Sequence, residues 1–316
     1  MEPVRTPVTA KDFFLWLGII IGVYGSVIAL LALLFEYINR SFPDQLAGYA
    51  DPLASGAHVS MATLIVFVPL TTLLVYLVRN SIRREPGKEH IWVRRWAIVL
   101  TLFLAGFVVA IDLVTLVTTF LGGEVTVRFA LKVLAVLLVG IGLFLHFLAE
   151  RWGYWLRYEK KAHAVAIAMI VLNFLVVLAG FYIIGTPTDM RLQRLDAQKV
   201  QDLQSIQGQL VYYYQQKQEL PESIDQLSDP ISGFTVPADP ETGASYEYRV
   251  TSGTSFVLCG TFRRDSIDTR GQGEYSMRDA SYPSRGISDN WVHGTGEVCF
   301  ERTIDPELYP PYAKPL

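Results

Sequence analysis

Residues 189–218 read DMRLQRLDAQKVQDLQSIQGQLVYYYQQKQ, and this stretch decides the fold of the C-terminal part of the chain. Apolar side chains recur in it every three or four residues, which is the spacing of one face of an α-helix. That apolar stripe consists of Leu192, Leu195, Val200, Leu203, Ile206, Leu210, Tyr213 and Tyr214. Asp189 can cap the start of the helix, and Pro221 lies just past its end, where helices usually stop. The pattern predicts one amphipathic helix that needs a partner surface to close a core.

The chain before this helix is strongly apolar. Five runs are each about 20 residues long, which is enough to cross a hydrocarbon core of about 30 Å. Because backbone groups inside lipid must satisfy their own hydrogen bonds, we expect each run to be a helix. The predicted spans are 13–38, 59–78, 96–121, 129–148 and 164–184.

Basic residues in the loops predict the orientation of these spans. Six Lys and Arg residues fall between the second and third spans, and four fall between the fourth and fifth. The opposite loops hold Arg40 and Arg128. Because Lys and Arg stay on the cytoplasmic side, we expect a multi-pass cell-membrane protein with a cytoplasmic N-terminus. An odd number of spans then places residues 186–316 outside the cytoplasm.

Charge changes at the same boundary. Residues 1–188 carry 15 Lys and Arg against 11 Asp and Glu, whereas residues 189–316 carry 12 against 19. An acidic C-terminal part argues against nucleic-acid binding, which needs basic patches for the phosphate backbone. The sequence therefore predicts a transmembrane domain over 1–185 and an extracytoplasmic domain over 186–316.

The segment after the amphipathic helix is rich in turns and strands. Pro and Gly punctuate it at Asp229-Pro230, Pro237, Asp239-Pro240 and Thr242-Gly243. Strands are predicted over 246–251, 256–262 and 298–303, from β-branched and aromatic residues with alternating polarity. Residues 264–294 are rich in Gly, Ser, Asp and Arg, and they read as a long loop.

Several of these pieces, in this order, give residues 190–262 a family resemblance. The residues that carry it are Asp196, Asp202, Leu203, Leu210 and Tyr212-Tyr213-Tyr214 of the helix, Leu220-Pro221-Glu222-Ser223-Ile224 with Leu227, and Asp239-Pro240-Glu241-Thr242-Gly243 followed by Tyr246-Glu247-Tyr248. The segment resembles type IV pilins and the major pseudopilins of type II secretion. The resemblance implies a pilin-like α+β fold, with one long helix packed on a small antiparallel sheet. Pilins carry a Glu among their first apolar residues, and residues 163–167 have none, so the resemblance concerns the fold.

The N-terminal half also resembles a known type of domain. The residues that carry this likeness are Ala10-Lys11-Asp12-Phe13-Phe14, Phe35-Glu36-Tyr37-Ile38-Asn39, Phe42-Pro43-Asp44, Asp112-Leu113, Leu121-Gly122-Gly123-Glu124, Arg128-Phe129 and Lys132-Val133. Residues 10–155 look like an uncharacterised bacterial multi-pass membrane domain, a domain of unknown function. The expected fold class is therefore a five-helix, all-α membrane bundle followed by a small α+β domain.

The two cysteines, Cys259 and Cys299, fall in predicted strands outside the cytoplasm, where thiols oxidise. A disulfide between them would close a loop of about 40 residues and stabilise the fold by on the order of 3–4 kcal/mol in the chain-entropy model. It would also tether the loop 264–294. Two free buried thiols, or a metal site that includes His293, are the alternatives.

Charged residues inside the spans are the next candidates for function. Asp112 lies in the third span and Lys132 lies near the start of the fourth. Charges at membrane depth are costly and usually face a partner, so we predict an interhelical ion pair. The functional alternative is a proton or ion relay. His146 and Glu150, four residues apart, are either a metal or proton site or an ordinary interfacial helix end.

Trp291 and His293 lie close to Cys299 and could form a recognition surface, but ordinary loop packing is the favoured interpretation. Acidic residues of the long loop could hold calcium, but they are too scattered for a ligand pattern: Asp265, Asp268, Asp279 and Asp289. We find no phosphate-binding loop and no Ser–His–Asp grouping. The sequence predicts no catalytic residue, metal or cofactor.

These observations favour a non-enzymatic bacterial cell-envelope protein, in which a membrane anchor displays a pilin-like domain. Its role would be scaffolding or binding in a pilus, secretion or surface assembly. The expected partners are the lipid bilayer and envelope or pilus and secretion proteins, and not nucleic acid. The alternative is a transporter or channel-like protein with an accessory outer domain, which would use Asp112 and Lys132. The third hypothesis is that the protein is an enzyme.

Overall fold

The computed structural model describes residues 8–42, 56–123, 125–266 and 291–312. The chain divides into two compact units, Met1–Gly185 and Thr186–Leu316. We call them the helical unit and the C-terminal unit and describe each by itself.

The helical unit is built from long helices joined by short connections. In chain order they are α1 (Ala10–Ser41), α2 (Ala57–Arg84), a 3-10 turn (Pro86–His90), α3 (Trp92–Leu121), α4 (Val127–Arg151), the single turn α5 (Tyr154–Arg157) and α6 (Glu159–Ile184). Side-chain caps fix two of the starts. The Thr9 hydroxyl accepts the Asp12 backbone N–H at 3.3 Å, and the Thr126 hydroxyl accepts the Phe129 N–H at 3.1 Å.

Within the described part of the chain, five helices are long and apolar enough to cross a membrane: α1, α2, α3, α4 and the helix that begins with α6. The five predicted spans lie inside them, so this prediction is confirmed. Between 11% and 28% of each apolar window is buried inside the protein. Large apolar side chains such as Ile28, Phe103 and Phe120 are therefore exposed, which is consistent with a multi-pass membrane protein.

Small residues and buried hydroxyls set the packing of this unit. Gly25 of α1 faces α2 so closely that an added Cβ would lie 2.6 Å from the Phe67 ring. Tyr24 and Thr101 share a 3.0 Å hydrogen bond between α1 and α3, and the Tyr37 hydroxyl donates to the Val176 carbonyl of α6 at 2.7 Å. Close backbone approach and interhelical hydrogen bonds are how helices associate where lipid removes the hydrophobic driving force.

The C-terminal unit opens with the long helix α7 (Pro187–Lys217). The helix begins two residues earlier than predicted, because Thr186 rather than Asp189 is the N-cap. Thr186 and Asp189 exchange side-chain and backbone hydrogen bonds of 3.1 and 3.3 Å in a capping box, and Pro187 occupies the first turn. At the other end, Gln218 adopts a left-handed conformation and ends the helix.

A short 3-10 turn (Ile224–Leu227) leads to a sheet of three strands in the described residues, β1 (Glu247–Val250), β2 (Ser255–Phe262) and β3 (Gly296–Thr303). The order is β1-β2-β3 and both pairings are antiparallel. The sheet packs on α7 through fully buried side chains: Leu203, Ile206 and Leu210 from the helix, and Phe256, Leu258 and Phe262 from β2. The predicted succession of helices and a small antiparallel sheet is therefore confirmed. Most of the predicted long loop, residues 267–290, lies outside the described residues.

Candidate functional site

The cysteine pair lies on the outward face of the sheet. Cys259 of β2 stands directly opposite Cys299 of β3, and their Sγ atoms lie 2.10 Å apart, at disulfide-bond distance. Side chains alternate between the two faces of a strand. Because their neighbours Leu258 and Phe300 are buried against α7, the two cysteines share the opposite face. The disulfide joins the strands at either end of the predicted long loop.

Backbone geometry next to the disulfide defines a sheet edge that no other strand of the described residues covers. The Cα atoms of Cys259 and Cys299 lie 4.0 Å apart, which identifies a pair without mutual backbone hydrogen bonds. Consistent with this alternation, Thr251 donates its N–H to the Ser255 carbonyl, so that Ser255 directs its backbone towards the β1 side. Every second residue of β3 therefore directs its N–H and C=O away from β2. We call this set the β3 edge: Glu297, Cys299, Glu301 and Thr303.

The β3 edge is long and acidic. Its four side chains are exposed, and two of them are glutamates. No strand among the described residues pairs with this side of β3, because β3 is the last strand of the sheet. A row of unpaired backbone donors and acceptors is a template for pairing with another chain.

A buried ion cluster joins α7 to the turn before β1. Lys199 has 1% of its surface exposed, and its Nζ lies 3.0 Å from Glu241 Oε2 and 3.3 Å from Asp239 Oδ2. It also donates to the Thr261 carbonyl at 2.8 Å. The Arg263 guanidinium and then Lys199 hold the pKa of Glu241 at about 2, below its usual range. These contacts satisfy the buried ammonium.

Two aspartates on α7 complete the polar link between helix and sheet. Asp196 accepts the backbone N–H groups of Arg263 and Arg264 at 2.8 to 3.1 Å, just after β2 ends. Asp202 accepts the Tyr246 hydroxyl at 2.8 Å. Burial, and then this bond to Asp202, raises the pKa of Tyr246. Both aspartates act as fixed acceptors within the fold.

The sequence analysis does not single out Lys199, although its position in α7 carries a signal that it is buried. It follows Leu195 by four residues and precedes Leu203 by four, so it occupies a position on the apolar stripe. A cation on such a stripe implies buried acceptors. The sequence could not name them, since Asp239, Glu241 and Thr261 lie 40 to 62 residues away.

Trp291 and His293 form part of the core rather than a recognition surface. Their exposed fractions are 6% and 7%. The His293 ring stacks on Phe262 with centroids 3.7 Å apart, and Trp291 packs against Phe300 at 4.6 Å. The recognition hypothesis fails because both rings are buried against aromatic side chains of the sheet, Phe262 of β2 and Phe300 of β3. Loop packing, the favoured interpretation, describes them.

Asp112 and Lys132 do not form the predicted ion pair. Asp112 is buried, and its Oδ2 has no hydrogen-bond partner among the described residues. The ammonium of Lys132 lies instead 5.6 Å from the centre of the Phe35 ring of α1. At about 1.5 Å of rise per residue, Asp112 lies about 14 Å from the end of α3, whereas Lys132 lies about 8 Å from the start of α4. The two charges are therefore offset along the helices.

The opposite end of the helical unit holds internal ion pairs. Arg94 is 5% exposed and its guanidinium lies 2.9 Å from Glu150, which ties the start of α3 to the end of α4. Glu150 also pairs with Arg79 at 3.8 Å. The ring of His146 stacks on Trp155 with centroids 5.2 Å apart. Across the described residues, no group of three His, Cys, Asp or Glu side chains is placed to hold a metal ion.

Three of the four aspartates considered for calcium binding lie outside the described residues: Asp268, Asp279 and Asp289. Asp265 is described, and its Oδ1 accepts the Thr295 N–H at 3.0 Å. This hydrogen bond joins the residues just after β2 to the residues just before β3.

Residues 12–149 match a protein family described as a domain of unknown function, DUF5671. This agrees with the likeness stated from the sequence for residues 10–155. The match runs from the first turn of α1 almost to the end of α4, so it falls within the helical unit. No curated protein and no solved structure matches the chain. The comparisons supply no activity for either unit.

Proposed function

We propose that this chain is a multi-pass membrane protein that holds its C-terminal unit outside the cytoplasm, where the unit binds other cell-envelope proteins. In this proposal the C-terminal unit is a pilin-like scaffolding domain of a pilus, secretion or surface assembly. The helical unit is its anchor.

The orientation is supported by charge and by sulfur chemistry. Ten Lys and Arg residues fall in the segments 79–95 and 150–161, at one end of the helical unit. Such segments stay in the cytoplasm. A cysteine pair at bonding distance fits an oxidising compartment, which is where the orientation puts the C-terminal unit.

The pilin-like assignment is supported by how the motif residues are used. The Asp239 carboxylate accepts the N–H groups of Glu241 and Thr242 at 2.7 and 3.1 Å, which forms a tight turn. Gly243 completes this turn with a positive φ of 71°. Tyr246 then reaches back to α7. The motif thus fastens the sheet to the long helix, as the family resemblance implies.

The observation that carries the binding role is the β3 edge. Strand addition to an open edge uses main-chain hydrogen bonds for affinity and alternate side chains for specificity. Glu297 and Glu301 on this edge favour a partner strand with basic side chains. Charged side chains also protect an open edge from indiscriminate pairing, so the two glutamates restrict which strands can add here.

A proline substitution tests this role, because it removes one edge N–H. Glu301→Pro deletes a donor that does not belong to the β2–β3 ladder, and edge strands tolerate such a proline. Glu301→Ala removes the same charge and keeps the N–H, so it is the matched control. We expect photo-crosslinking from position 297 in native membranes to give one defined adduct in the wild type and in Glu301→Ala, and to lose it in Glu301→Pro. Equal yields from all three would exclude strand addition.

Protease accessibility tests the orientation separately. Protease added outside sealed spheroplasts should cleave within residues 186–316 and leave the loops 85–91 and 152–158 intact. The reverse pattern would place the C-terminal unit in the cytoplasm and would overturn the proposal.

Transport is the second candidate, and the buried Asp112 favours it. A carboxylate oxygen without a hydrogen-bond partner is costly at membrane depth, and such groups mark proton or ion pathways. In liposomes with an imposed pH gradient, transport predicts proton flux in the wild type and its loss in Asp112→Asn. Glu297→Gln, which changes a carboxyl group of the C-terminal unit, is the control. Equal background flux in all three would remove this candidate.

A further inference from the structure

The end of the helical unit formed by segments 79–95 and 150–161 carries a surplus of positive charge. These segments contain ten Lys and Arg residues against four Glu residues. They include the ends of α2 and α4 and the starts of α3 and α6, so the charge is concentrated at one level of the helices.

Part of this charge is neutralised by carboxylates of the same unit. The internal pairs are Arg79 and Arg94 with Glu150, Arg83 with Glu159, and Lys88 with Glu85 and Asp12. These contacts join helices to one another, and Arg94 and Lys88 are largely withdrawn from solvent by them. The charges of Arg94 and Lys88 are therefore already neutralised by carboxylates of the same unit.

The remaining six cations are exposed and have no carboxylate partner among the described residues. We call them the basic rim: Arg84, Arg95, Arg151, Arg157, Lys160 and Lys161. All of the Glu residues in the two segments except Glu89 already pair with another cation. The rim is therefore available to anions from outside the chain.

Aromatic side chains place the rim at the level of lipid headgroups. Trp92, Trp96 and Trp152 are 57%, 69% and 70% exposed. Exposed tryptophans at the ends of apolar helices sit at the membrane–water interface. Lys161 lies over the Tyr154 and Tyr158 rings at 5.5 and 4.9 Å, and it donates to the Tyr154 hydroxyl at 3.1 Å. These contacts hold one cation of the rim in place.

We propose that the basic rim binds the phosphates of anionic phospholipids in the adjacent leaflet. Lys and Arg residues near a membrane surface attract anionic lipids, and each contributes about a fivefold gain in affinity. Arg95 and Arg151 are the central pair, since the Arg94–Glu150 contact brings their helix ends together. This proposal needs the helical unit to lie in a bilayer. It does not depend on the β3 edge or on which side the C-terminal unit faces.

Native mass spectrometry of the full chain in detergent tests the proposal. The probes are phosphatidylglycerol and phosphatidylcholine of the same acyl chains, with inorganic phosphate as a third. We expect phosphatidylglycerol to bind more tightly than phosphatidylcholine. The double variant Arg95→Gln, Arg151→Gln should lose about fivefold in phosphatidylglycerol affinity for each charge removed.

A charge-matched control separates local binding from net charge. Lys217→Gln with Arg249→Gln removes two exposed cations from the C-terminal unit and should leave phosphatidylglycerol affinity unchanged. Equal affinity for the two lipids would overturn the proposal. So would an equal loss in both double variants, or competition by inorganic phosphate that removes the lipid preference. An unchanged thermal midpoint shows that the rim variant is folded, because neither arginine takes part in the internal pairs.

Discussion

Replacement of Lys199 by methionine should strongly destabilise the C-terminal unit. The lysine is 1% exposed, and its ammonium contacts two carboxylates and one backbone carbonyl. Methionine has a similar length but donates no hydrogen bond. The variant therefore removes the ammonium partner of the Asp239 Oδ2 atom and of the Thr261 carbonyl.

The loss of stability in this variant depends on which hydrogen-bond partners Glu241 and Asp239 retain. Removing one partner of a buried ion pair typically costs about 3–5 kcal/mol. Glu241 still has Arg263 at 2.8 Å, and Asp239 still accepts two backbone N–H groups. We therefore expect the lower end, about 3 kcal/mol. With a urea m-value of about 1.5 kcal/mol per M, the unfolding midpoint should fall by about 2 M.

Pulse proteolysis of the full chain in detergent measures this midpoint, because the protease cuts the C-terminal unit once it unfolds. Arg249→Met is the control, since its pair with Glu247 is exposed and such pairs contribute about 0–1 kcal/mol. A Lys199→Met midpoint within about 0.5 M of the Arg249→Met midpoint would refute the reasoning. The cluster would then be no stronger than a surface pair.

Three further predictions concern acid, the disulfide and helix packing. The pKa of Glu241 falls from 4.5 to about 2 on folding, so the stability it contributes is present above pH 4.5 and is lost as the pH falls from 4.5 to 2. Acid titration should therefore unfold the wild type more steeply in this window than Glu241→Gln. Replacing Cys259 and Cys299 by serine should cost about 4 kcal/mol in the chain-entropy model, and reductant should shift the urea midpoint of the wild type and not of this variant. Gly22→Ala places a Cβ against a threonine of α2, whereas Gly142→Ala meets nothing within 4 Å. The first should lower the thermal midpoint in detergent by the equivalent of about 1–3 kcal/mol, and the second should leave it unchanged or raised.

Periodic features of the fold could be predicted from the sequence, because they depend on neighbours within a few turns. The stripe over 189–218 predicts α7 to within two residues of its observed start. Long apolar runs predict the membrane helices for the same reason. The predicted strands overlap β1, β2 and β3, since alternation and turn residues are also local signals.

Partners across the fold could not be predicted in this way. Asp112 and Lys132 are close enough along the chain to suggest a pair, but the offset of their helices separates them. Trp291 and His293 stand near glycines, which suggests exposure. Folding instead buries Trp291 against Phe300 and His293 against Phe262. Lys199 carries a local signal of burial, but its acceptors come from a turn and a strand that lie far away in the sequence.

The sequence by itself determines the apolar helices, the amphipathic α7 and the strand segments, and its two cysteines allow one intramolecular disulfide. Tertiary structure alone decides that the disulfide lies on the sheet face opposite α7, that β3 ends the sheet of the described residues, and which cations at one end of the helical unit have a carboxylate partner. The physical reason is the sequence separation between the residues that interact. Periodicity is set by residues three or four apart, whereas burial and charge pairing are set by side chains that only folding brings together, 42 residues apart for Lys199 and Glu241.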